Sequence, residues 1–248
     1  MVSIGSVDVS GVDALFGGAF ENPSDRGRLD TARSDYGSSQ LRRADLDHDP
    51  YGQLRTWLGD AAESGAVEPT SMGLSTVDVD GRPSSRNVLL RGLGAEGLEF
   101  FTNFSSRKAA DLEHNPLVAV LFSWLGLQRQ VRVTGSVEPL AADRSDAYFA
   151  SRPRASRIGA WASPQSRVIA GRAELEARLA LAEDRFAGRD DVTRPDFWGG
   201  FLIVADSFEV WQGRPSRLHD RFRYRRPMAA ESVASDPTTS WVIERLAP

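Results

Sequence analysis

From Met72 to the C-terminus the apolar residues of this chain recur mainly at every second position, in segments that follow one another across short turns. SMGLSTVDV and RPSSRNVLLRGL flank Asp80-Gly81 as a hairpin, and GLEFFTNF follows as a third strand. LVAVLFSWL and LQRQVRVTGSVEPL supply two more, and FLIVADSFEVWQG, RLHDRFRYRR and SWVIERLAP close the series. So many antiparallel strands leave rows of unpaired N–H and C=O groups at every open edge, which favours closure. The expectation is a mainly β fold with flanking helices, a closed or split β-barrel of antiparallel, Greek-key-like strands. A parallel α/β sheet needs regular strand–helix alternation, which is missing.

Helices are expected at the rim. Asp49-Pro50 is an N-cap followed by proline at the first helical position, with Leu54, Trp57, Leu58 and Ala61 on one face and Gly65 as a stop. SSRKAADLEH reads as a short helix ending at Asn115-Pro116, and further helices are expected near 141–150 and 171–187. The stripe Leu175, Leu179, Ala182 and Phe186 on the last of these reads as packing. Residues 1–30, rich in Gly, Ser and Asp without periodicity, read as a flexible tail, leaving 31–248 as one domain; ASDPTTS at 234–240 reads as a hairpin loop.

With 248 residues, 41% of them hydrophobic, the chain can bury a core without covalent staples, and it has no cysteine to form any. That absence also excludes thiolate metal sites and a cysteine nucleophile, while His48, His114 and His219 show no metal-ligand spacing. A net charge of −4 argues against a general polyanion surface, so no nucleic-acid partner is expected. No apolar run approaches the roughly 20 residues of a membrane span. The first basic residue is Arg26, which leaves no basic leader and makes a cytoplasmic location the expectation.

The cations are distributed unevenly: Lys108 is the only lysine, and every other basic residue is arginine. In FTNFSSRK, Ser105 or Ser106 is a natural N-cap, which puts Arg107 and Lys108 in the first helical turn, where the macrodipole disfavours cations. A phosphate between the free N–H groups and these side chains relieves the mismatch; a solvated basic turn is the alternative. RLHDRFR at 217–223 reads as a strand with Arg217, His219, Arg221 and Arg223 on one face and Leu218, Phe222 and Tyr224 on the other. The cationic face suits an anionic aromatic ligand or a proton relay, or simply faces solvent. In SRPRASRIGAW the proline argues against regular helix, and the arginines and serines suit a phosphate-binding or nucleic-acid loop. In RNVLLR, strict alternation sends Arg86 and Arg91 to opposite faces, so serving one site would take a bulge, a strand end or two different partners.

Taken together, RNVLLR, FFTNFSSRK, QRQVRV, YFASRPRASRIGAW, SPQSR, FWGGF, FEVWQG, RLHDRFRY and ERLAP, in unbroken order from about Leu41 to Pro248, resemble the pyridoxine (pyridoxamine) 5′-phosphate oxidase family. The resemblance implies an FMN-binding split barrel working as a homodimer with FMN between the subunits. It implies oxidation of pyridoxamine or pyridoxine 5′-phosphate to pyridoxal 5′-phosphate, with O2 as acceptor and H2O2 as product. Another reduced aromatic, such as a dihydrophenazine, is the alternative substrate, and non-catalytic flavin or pyridoxal phosphate binding is the alternative class.

By position, the resemblance assigns Arg86, Asn87, Val88, Leu89 and Leu90 to the flavin, and Phe101, Thr102, Arg107 and Lys108 to its ribityl phosphate end. Gln130, Gln165, Ser166, Trp211 and Arg221 complete that site. Arg91, Tyr148, Arg152 and Ser156 match the grip on the substrate phosphate, and Arg217 and His219 lie near the pyridine ring as the catalytic pair. Arg33 and Tyr36 match an N-terminal lid. The chain departs from the family at Arg91, where lysine is usual, and in the lid, where RSDYG replaces a more basic pattern.

Overall fold

A computed structural model describes residues 36–37, 39–227 and 241–248; the expected tail at 1–30, Arg33 and the loop at 234–240 lie outside the described residues. The strands are β1 (Ser71–Val77), β2 (Pro83–Leu89), β3 (Gly92–Gly94), β4 (Gly97–Asn103), β5 (Leu117–Trp124), β6 (Arg129–Pro139), β7 (Trp198–Gln212), β8 (Asp220–Arg225) and β9 (Val242–Leu246). They form one antiparallel sheet ordered β2-β1-β5-β6-β7-β4-β3, with β8 added to β7 and β9 to β8. The two ends of that order, β2 and β3, are consecutive in the chain. Between them the Leu90 N–H donates to Thr70 O at 2.9 Å and the Arg91 N–H to Glu99 O at 2.8 Å, so the chain itself bridges the split in the curled sheet.

The long strand β7 makes the fork. Its first half, Trp198–Ile203, pairs with β4, its second half, Ser207–Gln212, pairs with β8, and β6 runs beside both. The β6–β7 register slips between Thr134 and Gly135, where a Cβ on Gly135 would stand 2.1 Å from Val204 O. Only glycine fits that bulge.

Period-two burial then fills the curl. Leu74, Leu98, Phe100, Phe122, Val131, Val133, Ile203 and Phe208 point inward and are buried. Helix α1 (Pro50–Glu63) packs Leu54, Trp57 and Ala61 into the same core, and the Asp49 carboxylate accepts from the Tyr51 and Gly52 N–H groups at its start. A second apolar cluster joins helices α3 (Ala142–Ser151), α4 (Arg154–Ala162) and α5 (Arg172–Arg185) through Phe149, Ile158, Ala182, Phe186 and Trp198. The remaining helix, α2 (Arg107–His114), follows β4. Among the described residues no helix is long and apolar enough to cross a membrane.

Two local expectations are corrected. SRPRASRIGAW is helix on both sides of the proline: α3 ends at Ser151 and Pro153 is the N-cap of α4, a place where its missing N–H interrupts no helical bond. RLHDRFR is strand only from Asp220, which pairs with Gln212 at the end of β7. Before that point no ladder partner remains, and Pro215–Arg217 forms a short turn with Ser216 and Arg217 at φ of 57° and 61°. Arg217 and His219 therefore leave the face that Arg221 and Arg223 share, Leu218 is 70% exposed, and Phe222 and Tyr224 are buried as expected.

Glycine is required where β7 meets α3. The Gly200 N–H donates to Ser145 Oγ at 3.1 Å, and a Cβ there would come within 2.7 Å of the Phe101 ring and 2.5 Å of Leu140. Gly200→Ala is expected to destabilise the fold by about 1–3 kcal/mol through overpacking. A fall in thermal midpoint checks this; an unchanged midpoint would show that Leu140 and Phe101 give way freely.

Candidate functional site

Between the barrel and the helical cluster lies a cleft of about 590 Å³. β2 gives it Asn87, Val88 and Leu89, the β2–β3 bridge gives Arg91, and β4 gives Phe101, Thr102 and Asn103. Lys108 enters from α2, Tyr148 from α3, Arg152 from the α3–α4 junction and Ser156 from α4, with Gln165 beyond. Its charged lining residues are Arg91, Lys108 and Arg152, and no carboxylate lines it. One wall is aromatic: Phe101 stacks on Tyr148 with centroids 3.9 Å apart and on Trp198 at 5.7 Å.

Lys108 sits as its sequence context predicts, in the first turn after the N-cap Ser106. The Ser106 hydroxyl makes no cap bond; it accepts from Lys108 Nζ at 3.2 Å. Nζ also donates to Thr102 Oγ1 at 3.0 Å and Gln165 Oε1 at 2.8 Å. These partners are neutral, and burial, followed by the nearby Arg86 charge, pulls the Lys108 pKa down to about 8.

Arg152 lays its guanidinium 4.7 Å from the Trp198 ring centre, and its Nη1 is buried without a hydrogen-bond partner. Burial lowers its pKa, and the Arg91 charge adds to that effect. A buried donor left unpaired is costly, and cations gathered without a counter-ion fit an anionic group. Two groups of lining donors are of the kind that suits an anion: Lys108, Thr102 and Gln165, which hydrogen-bond together, and Arg91, Tyr148, Arg152 and Ser156.

Other expected residues lie elsewhere. Arg86 and Arg91 do part company, because Arg91 lies beyond the end of β2. The Arg86 guanidinium donates to Leu74 O, to Thr76 Oγ1 at 2.7 Å and to Ser84 Oγ, and lies 3.7 Å from the buried Asp111 carboxylate. Arg107 pairs with Asp78 at 3.3 Å, and Leu90 is buried in the barrel core. Ser166, at φ 70°, adjoins Gln165 without lining the cleft.

The remaining residues gather at the far end of β7. Gln130 and Arg221 flank Trp211 on the neighbouring strands, and Arg221 donates twice to the Glu209 carboxylate, at 3.0 and 2.8 Å. His219 packs on Trp211 with centroids 4.6 Å apart, and Tyr36 meets both rings edge-on, at 5.8 Å from Trp211 and 5.2 Å from His219. Arg217 lies two positions before His219 and, after burial, lowers its pKa. From Gly200, opposite Phe101, to Trp211 is about 36 Å of strand at roughly 3.3 Å per residue, less what the bulge and curl remove. None of Gln130, Trp211, Arg217, His219 and Arg221 lines the cleft.

Reading the sequence missed Trp198, Asn103 and Ser163 in the lining, and Asp111 as the partner of Arg86. The two glycines after Trp198 mark a close approach, but nothing local says what approaches.

Residues 58–185 match the family described as Pyridoxamine 5'-phosphate oxidase, and residues 198–248 match the Pyridoxine 5'-phosphate oxidase C-terminal dimerisation region. A pyridoxine/pyridoxamine 5'-phosphate oxidase of Salinibacter ruber is 46% identical over 221 residues, 89% of this chain and 99% of that protein. One of the same name from Deinococcus deserti is 50% identical, again over 89% of this chain and 99% of the relative. Among solved structures, PhzG from Burkholderia lata, in complex with tetrahydrophenazine-1-carboxylic acid, superposes with a TM-score of 0.75 at 26% identity, over 85% of this chain and 99% of its own.

Proposed function

Since the chain belongs to the pyridoxamine 5′-phosphate oxidase family, a family of oxidoreductases, we propose that it oxidises pyridoxamine or pyridoxine 5′-phosphate to pyridoxal 5′-phosphate. FMN, when bound, supplies the acceptor for the hydride leaving C4′, and O2 reoxidises it with release of H2O2. The observation that carries this reading is that the cleft holds the part-buried cations Lys108 and Arg152 beside Arg91 with no carboxylate in its lining, above all the unpartnered Arg152 Nη1. Lys108, Thr102 and Gln165 hold the FMN phosphate, with Arg107 at the helix start and Arg86 of β2 adding positive potential near Lys108. Asn87, Val88 and Leu89 line the flavin, with Leu90 supporting them from the core. Arg91, Tyr148, Arg152 and Ser156 hold the substrate phosphate, so that binding energy remote from C4′ fixes its position.

The protein acts as a homodimer in this reading, in keeping with its match to a dimerisation region. Their absence from the lining of their own chain's cleft supports this: Gln130, Trp211, Arg217, His219 and Arg221 of one chain complete the cleft of the other, with Ser166 at the seam and Tyr36 as a cover over His219. The test is direct. Purified protein is expected to be a yellow dimer that forms peroxide from pyridoxamine 5′-phosphate; a colourless monomer that ignores added FMN overturns the reading.

The likeness to PhzG favours a second reading, in which the substrate is a reduced phenazine carboxylate. A reduced phenazine carboxylate offers the same cations a carboxylate and carries no phosphate, so the two readings part on phosphate dependence. Arg91→Lys is expected to keep kcat/KM for pyridoxamine 5′-phosphate within about tenfold, roughly 1.4 kcal/mol, because charge is retained and only the planar fork is lost. A wild type with no preference for phosphorylated over unphosphorylated pyridoxamine would favour the second reading. Binding of flavin or pyridoxal 5′-phosphate without oxygen uptake would leave a binding protein.

A further inference from the structure

The geometry points to His219 being locked as its Nε2–H tautomer, so that it meets a ligand as a hydrogen-bond donor and not as a base. The Arg214 N–H donates to His219 Nδ1 at 3.0 Å, which occupies that nitrogen's lone pair. A neutral imidazole carries one proton, and with Nδ1 accepting, the proton resides on Nε2.

The turn between these residues is what delivers the backbone donor. Pro215 starts it, the Leu218 N–H closes back on Pro215 O at 3.2 Å, and Ser216 and Arg217 take left-handed backbone, at φ 57° and 61°. Two consecutive non-glycine residues in that region are uncommon, and such strain persists only where surrounding contacts enforce it. The ring is held as well. Trp211 packs against it from β7 and Tyr36 from the N-terminal segment, so two aromatic neighbours oppose the ring flip that would carry Nδ1 away from the Arg214 N–H.

Protonation would place a second N–H against the Arg214 N–H at Nδ1. The nearest charge opposes it too: after burial, the Arg217 guanidinium lowers the His219 pKa. Asp220, the next residue, is engaged by Arg245, by the Leu41 N–H and by the Arg214 guanidinium at 3.7 Å. Tyr36 faces the ring as an aromatic edge. The atom that Nε2–H addresses must be an acceptor, such as an anionic oxygen of the substrate. That donor role rests on the proposed function, whereas the tautomer rests on the turn alone.

The two parts are tested separately. In 15N-histidine-labelled full-length protein, long-range proton–nitrogen correlation at pH 7.5 distinguishes the tautomers, and with three histidines in the chain His219→Gln assigns the signal. A bare Nδ1 with a protonated Nε2 is expected, retained in the FMN-loaded enzyme; Nδ1–H, or the tautomer mixture of free imidazole, overturns the lock. For the role, His219→Gln offers a donor near Nε2 and His219→Glu offers a base of similar reach. The Glu variant is expected to lose at least tenfold more kcat/KM than the Gln variant; equal loss, or better activity with Glu, overturns the donor assignment. If the enzyme makes no peroxide but the nitrogen signature is present, the reaction has been misread and the lock stands.

Discussion

Lys108→Met is expected to lower FMN affinity by about 10- to 150-fold, the equivalent of about 1.5–3 kcal/mol for a charge-assisted bond to phosphate. Methionine keeps most of the stem and removes the charge. The three groups that Lys108 contacts are neutral, so no partner charge is stranded and the fold is expected to survive. The lysine also predicts how pH acts. In the ligand-free protein its pKa is pulled from 10.5 to about 8, so the folded state holds fewer protons than the unfolded state between those values. By linkage, the penalty for burying the charged lysine is fully present below pH 8 and is relieved as pH rises toward 10.5. Phosphate demands the charged form, so FMN affinity should fall up to tenfold per pH unit above about 8 in wild type, and this fall should be absent in Lys108→Met. Flavin fluorescence titrations from pH 6.5 to 9.5 check both. Equal affinities with parallel pH profiles would show that Lys108 belongs to a solvated basic turn.

Arg152→Ala is expected to cut kcat/KM for pyridoxamine 5′-phosphate by about 30-fold or more, corresponding to about 2 kcal/mol or more for a desolvated charge pair that loses one member. The same variant should change turnover of unphosphorylated pyridoxamine far less and leave FMN bound, because the FMN phosphate is assigned to Lys108 and not to Arg152. Its stack on Trp198 adds a packing contribution, which a thermal midpoint measures separately. Arg152→Lys should recover only part of the loss, since an ammonium restores charge but neither the planar stack nor the buried fork. Equal losses on both substrates would assign Arg152 to shaping the aromatic wall instead of to the phosphate.

Some of this architecture was legible because it is set by near neighbours in sequence. Asp49-Pro50 caps α1, Ser106 starts α2 with Lys108 in its first turn, and period-two apolar residues point into the curl. In each case the controlling partners lie within one turn or two strand positions, so composition and spacing suffice. The order of family strings likewise reflects sequence alone, and the family comparisons agree with it.

What tertiary structure decided was which distant partner each polar side chain met. RNVLLR shows two arginines in one short segment, yet Asp111, 25 positions further on, lies beside Arg86, while the end of β2 leaves Arg91 for the cleft. Trp198 enters the site because β7 pairs with β4 and α3 packs across both. RLHDRFR has a strand's alternation, but β7 ends at Gln212, so Arg217 and His219 have no ladder to join and fold into a strained turn. Periodicity reports which face of an element a residue occupies; it carries no information on where the neighbouring strand stops or what the opposite wall contributes. Those are fixed by long-range pairing, and long-range pairing is what makes a row of cations into a cleft.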